Sequence, residues 1–299
     1  MKKVVRMLGL CALVALAFTA CKKDDTQKVS FTATITQPTS NARTHTVGFG
    51  HHLVWDAGDQ IKVFNADGSQ NMDFALPDEI ESAKQATFNV VGNDEVAFVS
   101  NLFDAPYYAF YPEANVNGNR VEMVIPSTQY YVPQRSFTTD LYPMVGFNVD
   151  GEGAYCDNFQ FVSNAGFLTV PITCPAVLDG TEITQVILRS KDQNDKLSGV
   201  VSYDKNGSNY SFAGDGNEIT ILSTPEEPVI LLHNYQAEYI FVLPEGALES
   251  GFELEVYLDN GEVRFYEAPA QVNTIEAMKY TVMLPVTIGD ENQILILPK

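Results

Sequence analysis

Hydrophobic and polar residues alternate with a period of two along most of this chain. Val29-Ser-Phe-Thr-Ala-Thr-Ile35 alternates strictly, and so do residues 60–64, 118–125, 182–188, 251–258 and 262–266. A two-residue period turns every second side chain to the same face, so each run is predicted to form a half-buried strand. Turn signals separate the runs, among them Asn65-Ala-Asp-Gly68, Asn117-Gly118, Asn206-Gly207, Asp215-Gly216 and Asp259-Asn-Gly261. The last lies between two alternating segments and predicts a tight hairpin. No segment of ten or more residues carries a helical stripe, although residues 77–83 have room for one short turn. The predicted class is all-β, built as sandwiches.

The first 25 residues break this pattern. Lys2, Lys3 and Arg6 precede an apolar run from Met7 to Ala20, followed by Cys21-Lys-Lys-Asp-Asp25. A basic start, a short apolar run and small residues before a cysteine form a bacterial lipoprotein export signal over residues 1–20. The run falls short of the roughly 20 apolar residues that span a bilayer. Cleavage between Ala20 and Cys21 would leave Cys21 to carry acyl chains, with Phe18 where leucine is usual. At about 0.8 kcal/mol per buried CH₂, two or more chains would hold the protein on a membrane. Residues 21–28 then form a lipidated linker. Lys22-Lys-Asp-Asp25 resembles the tag that sends Bacteroidetes lipoproteins to the outer face of the outer membrane; its other reading is a solvated spacer.

Charge narrows the partners further. The full chain has 18 basic and 38 acidic residues and a net charge of −20. Loss of the leader removes three of the basic residues. Nucleic acid and anionic headgroups are repelled by such a surface. Of the 4 cysteines, Cys11 leaves with the leader and Cys21 takes lipid, so Cys156 and Cys174 remain as a candidate disulfide or as two buried small residues. The 4 histidines lack zinc-type spacing, and no cofactor or metal is expected. The chain has no Gly-x-Ser-x-Gly elbow, His-Glu-x-x-His motif or Gly-x-x-x-x-Gly-Lys loop, which argues against an enzyme.

A change of character near residues 155–164 divides the mature chain. Pro106-Tyr-Tyr-Ala-Phe-Tyr-Pro112 and residues 126–144 are rich in aromatics and proline, and Ala165-Gly-Phe-Leu-Thr-Val-Pro-Ile172 opens a new apolar run. The expected division is an N-terminal β-sandwich domain over 29–160 and a C-terminal one over 161–299, each of ordinary domain size. Trp55, the single tryptophan, is predicted to anchor a core.

An ordered set of motifs spans both halves. Phe31-Thr-Ala-Thr-Ile35, Ala42-Arg-Thr44, Trp55-Asp-Ala-Gly-Asp-Gln-Ile-Lys-Val-Phe64, Tyr108-Ala-Phe-Tyr-Pro112, Ile125-Pro126 with Gln129, and Pro143-Met-Val-Gly146 come first. Asn164-Ala-Gly-Phe-Leu-Thr-Val170, Lys196-Leu-Ser-Gly199, Phe241-Val-Leu-Pro244 and Met278-Lys-Tyr-Thr281 follow. After a lipoprotein leader, this set resembles the fimbrillin-like family of Bacteroidetes lipoproteins, the subunits of type V pili. The resemblance implies two tandem transthyretin-like, immunoglobulin-like Greek-key β-sandwich domains and a structural role in a surface fimbria that contributes to adhesion. It also implies export as a lipidated precursor, proteolysis after a basic residue, and polymerisation by strand exchange with other fimbrial subunits. The matching bond lies between Arg43 and Thr44. An Arg-Thr pair in a polar loop also reads as a solvated turn.

The physics of exchange follows from the first run. Val29, Phe31, Ala33 and Ile35 would face a core, and an emptied slot would present unpaired strand edges to a replacement. The donor would be the end of the chain, where Met283-Leu-Pro-Val-Thr-Ile288 alternates, residues 289–292 turn, and Gln293-Ile-Leu-Ile-Leu-Pro298 is apolar. That last segment equally reads as a strand paired within its own half. The rival function is a surface glycan-binding lipoprotein of a nutrient-uptake complex, which would need an exposed aromatic platform from Tyr107, Tyr108, Tyr111, Tyr130, Tyr131 and Tyr142. The remaining partners implied are outer-membrane lipid through Cys21 and a host or bacterial surface ligand.

Overall fold

A computed structural model describes residues 30–40, 52–91, 107–112, 114–132, 139–148, 158–224, 228–270 and 275–289. Within these, the chain forms β1 (Ser30–Ile35), β2 (Thr39–Ser40), β3 (Gln60–Phe64), β4 (Asn71–Ala75), β5 (Gln85–Val90), β6 (Tyr108–Tyr111), β7 (Asn115–Asn117), β8 (Arg120–Ile125), β9 (Thr128–Tyr130), β10 (Met144–Asn148) and β11 (Asn158–Val162). There follow β12 (Ala165–Thr173), β13 (Glu182–Ser190), β14 (Ser198–Asp204), β15 (Ser211–Gly216), β16 (Glu218–Leu222), β17 (Val229–Ile230), β18 (Ala237–Pro244), β19 (Phe252–Leu258), β20 (Val263–Ala268), β21 (Lys279–Val282) and β22 (Val286–Thr287). Among the described residues, helix is limited to two 3₁₀ turns, Thr139–Leu141 and Ala176–Leu178. The all-β expectation holds.

The alternating runs become the predicted strands because their apolar positions are the buried ones. In β1 the burial alternates residue by residue, with Phe31, Ala33 and Ile35 inside. The Asn-Gly turn at 260–261 joins β19 to β20, and Gly261 takes φ +84°, a conformation that glycine adopts without steric cost. Asp215-Gly216 behaves differently. Both residues stay in β15, and the reversal falls at Asn217. Residues 77–83 form no helix; a turn at Asp78-Glu79 takes its place.

Seven strands of the first half close into a barrel in the order β1-β11-β10-β6-β3-β4-β5. The closing element is β1, antiparallel to β5 and parallel to β11, so the two sheets of a sandwich are joined along this seam. The second half holds two sheets, β18-β12-β21-β2 and β20-β19-β13-β16-β9, to which the first half contributes β2 and β9. A further sheet, β15-β14-β8-β7, joins the two halves.

Pairing crosses residue 160 in both directions. β11 straddles that position and completes the first barrel, while β8 lies beside β14, β9 beside β16 and β2 beside β21. Gln129 reinforces the crossing from a fully buried position. Its amide donates to the Val242 carbonyl at 3.0 Å and accepts the Val242 N–H at 3.1 Å, standing in for a strand neighbour.

One glycine in the motif opening β12 has a packing cause. A Cβ on Gly166 would lie 2.2 Å from the Glu276 carbonyl oxygen and 2.7 Å from the Ile275 side chain. Gly166→Ala is therefore expected to cost about 1–3 kcal/mol through overpacking, read as a lower thermal midpoint. An unchanged midpoint would refute the close approach.

Candidate functional site

The seam strand β1 is the element on which the sequence places function, and its surroundings hold it from four directions. Ladder bonds tie it to β5 and β11, with Phe31 opposite Phe88 and Ala33 opposite both Ala86 and Phe159. The Phe31 ring lies 4.8 Å from Phe74, 5.7 Å from Tyr107 and 5.1 Å from Phe159, in tilted and edge-on arrangements that suit aromatic pairs. At the strand's end the Ile35 N–H reaches the Lys84 carbonyl at 2.9 Å, and the Thr36 N–H reaches Phe161 at 3.0 Å.

Trp55 forms the floor of this slot. Its buried indole donates to the Ala33 carbonyl at 2.9 Å and meets Phe88, Tyr111 and Phe161 edge-on at 5.0, 5.1 and 5.1 Å. The predicted core anchor therefore has a second role, as a hydrogen-bond donor to the strand whose removal is at issue.

After β1 the chain crosses to the other half. Gln37 ties the start of the crossing to the first half by donating to the Leu53 carbonyl at 2.9 Å and accepting the Leu53 N–H at 3.0 Å. The Thr39 N–H then reaches the Met278 carbonyl at 3.0 Å, and β2 runs parallel to β21 at the sheet's edge. Residues 30–40 thus contribute one strand to the barrel and one to the second half. The sequence predicts the first of these but not the second, since two residues are too few to show a period.

An ionisable group sits beneath the Trp55 turn. Asp59 accepts the Asp56 N–H at 2.7 Å and the Tyr111 hydroxyl at 2.9 Å, and burial pushes its carboxyl up to about 6 against these two bonds. Because the folded value lies above the unfolded one, the folded state binds the proton more tightly. Its stabilising share is complete below about pH 4 and is lost as pH rises through about 6. Asp59→Asn should therefore be more stable than wild type at pH 7 and should flatten the stability profile between those values. A wild-type urea midpoint level from pH 4 to 7 would contradict this.

The remaining sequence-predicted sites fall differently. Ala20, Cys21, Val29, Arg43, Thr44 and Cys156 lie outside the described residues, as do residues 290–299. Cys174 carries a free, buried thiol, whose acidity is lowered by burial. Of the six tyrosines that a glycan platform would need, Tyr107, Tyr111, Tyr131 and Tyr142 are buried and Tyr108 is half-buried. Only Tyr130 among them is exposed, and one ring makes no platform. Among the described residues, no three histidine, cysteine or carboxylate side chains come together as a metal site.

No protein-family model and no curated protein matches the chain. Solved structures do. A "putative cell adhesion protein" from Bacteroides ovatus aligns with 91% of this chain and 96% of its own at TM-score 0.58 and 14% identity. A second "putative cell adhesion protein", from Bacteroides uniformis, covers 91% and 97% at TM-score 0.52 and 17% identity. A fimbrial protein from Bacteroides ovatus aligns with 89% of this chain and 50% of its own at 12% identity, but at TM-score 0.41 it adds nothing to the fold assignment. At these identities the likeness is one of fold, and its 91% coverage takes in both halves of the chain. The chain thus has the fold of these Bacteroides proteins, in keeping with its sequence resemblance to the fimbrillin-like family.

Proposed function

We propose that this protein is a structural subunit of a cell-surface fimbria, made as an outer-membrane lipoprotein acylated at Cys21 and joined to other subunits by strand exchange after cleavage between Arg43 and Thr44. One observation carries the reading: the strand upstream of that bond, β1, is the seam of a closed barrel, with Phe31, Ala33 and Ile35 in the core. Removing it would open two ladder edges and an apolar slot together, and a strand from another subunit would satisfy both. The pairing of β2 with β21 extends the vacated track into the second half. The two halves are read as tandem transthyretin-like units, with β8, β9 and β2 of the first paired to strands of the second.

The test is mass spectrometry of the assembled surface form. An N-terminus at Thr44, together with a ladder of multimers on unboiled gels, is expected of a polymerising stalk subunit. An acylated Cys21 retained in the assembled form would instead make the chain an anchor. Multimers that persist when Arg43→Ala blocks cleavage would defeat the exchange reading.

A further inference from the structure

The end of the second half beside β22 and Gly289 carries a group of exposed apolar side chains. Val177 is 86% exposed, Ile230 45%, Leu232 48% and Tyr235 45%. Two backbone segments hold them together. The Gly180 N–H donates to the Leu231 carbonyl at 2.8 Å, the Leu231 N–H returns to Thr181 at 2.8 Å, and the His233 N–H reaches Asp179 Oδ1 at 3.2 Å. Clustering of this kind differs from singly scattered surface residues and marks an interaction surface.

The course of the chain identifies what covers it. β22 runs parallel to β12, and the Ile288 N–H donates to the Thr173 carbonyl at 2.8 Å. At Gly289 the backbone passes beside the 3₁₀ turn that bears Val177. A Cβ placed there would lie 3.6 Å from Pro175 and 4.0 Å from Leu178. The apolar residues that would donate a strand begin at Ile294, five residues on, within about 18 Å of Gly289 even when fully extended. A neighbour that accepts this strand must therefore stand against this pole.

We infer that Val177, Ile230, Leu232 and Tyr235 form the docking surface for the subunit that receives this chain's strand, and that this subunit is a second copy of the chain. The inference rests on the strand-exchange reading above. Charge favours the same surface. Two chains in which acidic residues so outnumber basic ones repel each other at long range, so association needs short-range apolar contact. On this pole Asp179 and His233 face each other, Oδ2 to Nδ1 at 3.5 Å. The contact would orient the acceptor before the strand enters, and would contribute to the assembled joint beyond the strand itself.

The test uses the chain from Cys21 onward, cleaved at Arg43, with two readouts: multimer laddering, and binding of a labelled peptide of residues 289–299. Val177→Glu with Leu232→Glu should lower the laddering rate by about tenfold or more. Peptide binding should stay within about twofold of wild type, because the slot is untouched. Val116→Glu, on the exposed β7 of another sheet, should ladder normally. The inference is overturned if the double variant ladders like wild type while peptide binding is intact. If wild type neither binds the peptide nor ladders, strand exchange itself fails, and the pole assignment with it.

Discussion

Removing the segment that the proposed cleavage at Arg43 would release should leave a chain that unfolds at much lower urea, and that a peptide of residues 29–40 restores. Phe31 and Ile35 are buried in the barrel, and each large side chain contributes about 1.5–3 kcal/mol on burial, so about 3–6 kcal/mol is lost from these two. A domain has only about 5–15 kcal/mol in all. The trimmed chain is thus expected near its folding limit, the condition that the proposed strand exchange requires of an acceptor. Peptide at about 100 times its dissociation constant should return about 2.7 kcal/mol. The same core predicts that Phe31→Ala in the full chain costs about 3–5 kcal/mol. A trimmed chain as stable as the intact one would mean that β1 is dispensable and the slot has no driving force.

Trp55→Ala should cost a further large amount, about 3–5 kcal/mol, and should loosen β1 in particular. The substitution empties the space against Phe88, Tyr111 and Phe161 and removes the indole donor from the Ala33 carbonyl. Trp55→Phe separates the two effects. It keeps a ring in the core but leaves the carbonyl without this donor, at about 1–3 kcal/mol. Hydrogen exchange at the Ile35 amide, which donates to Lys84 across the seam, reports the difference. Exchange there should accelerate in both variants, more in the alanine form. Equal protection in wild type and Trp55→Phe would show that the indole bond does not hold the strand.

Much of this architecture was legible from pattern alone. The burial of Phe31, Ala33 and Ile35 follows from alternation, and the β19–β20 hairpin from Asp259-Asn-Gly261, because both signals are local. Trp55 could be named as a core residue from its bulk, but its bond to Ala33 could not, since the two are 22 positions apart and no spacing announces the contact. Gln37 and Gln129 escaped functional notice for a related reason. Each is a polar residue that substitutes for backbone, and only the position of Leu53 or Val242 reveals that use. Nothing in the residues around Asp59 announces its raised carboxyl, which depends on burial beside Tyr111.

The division near residue 160 shows the same limit at a larger scale. Composition changes there, yet β8, β9 and β2 pair with strands from the far side. A strand's own residues set which of its faces is buried, because that depends on a two-residue period carried in the side chains. They do not set which neighbour it takes, because backbone donors and acceptors are the same in every strand and pairing is decided by whichever edge the rest of the chain brings alongside. The acidic charge and the strands were therefore readable from the residues. The seam at β1, the crossing at β2 and the apolar pole beside Gly289 emerged only once distant segments had met.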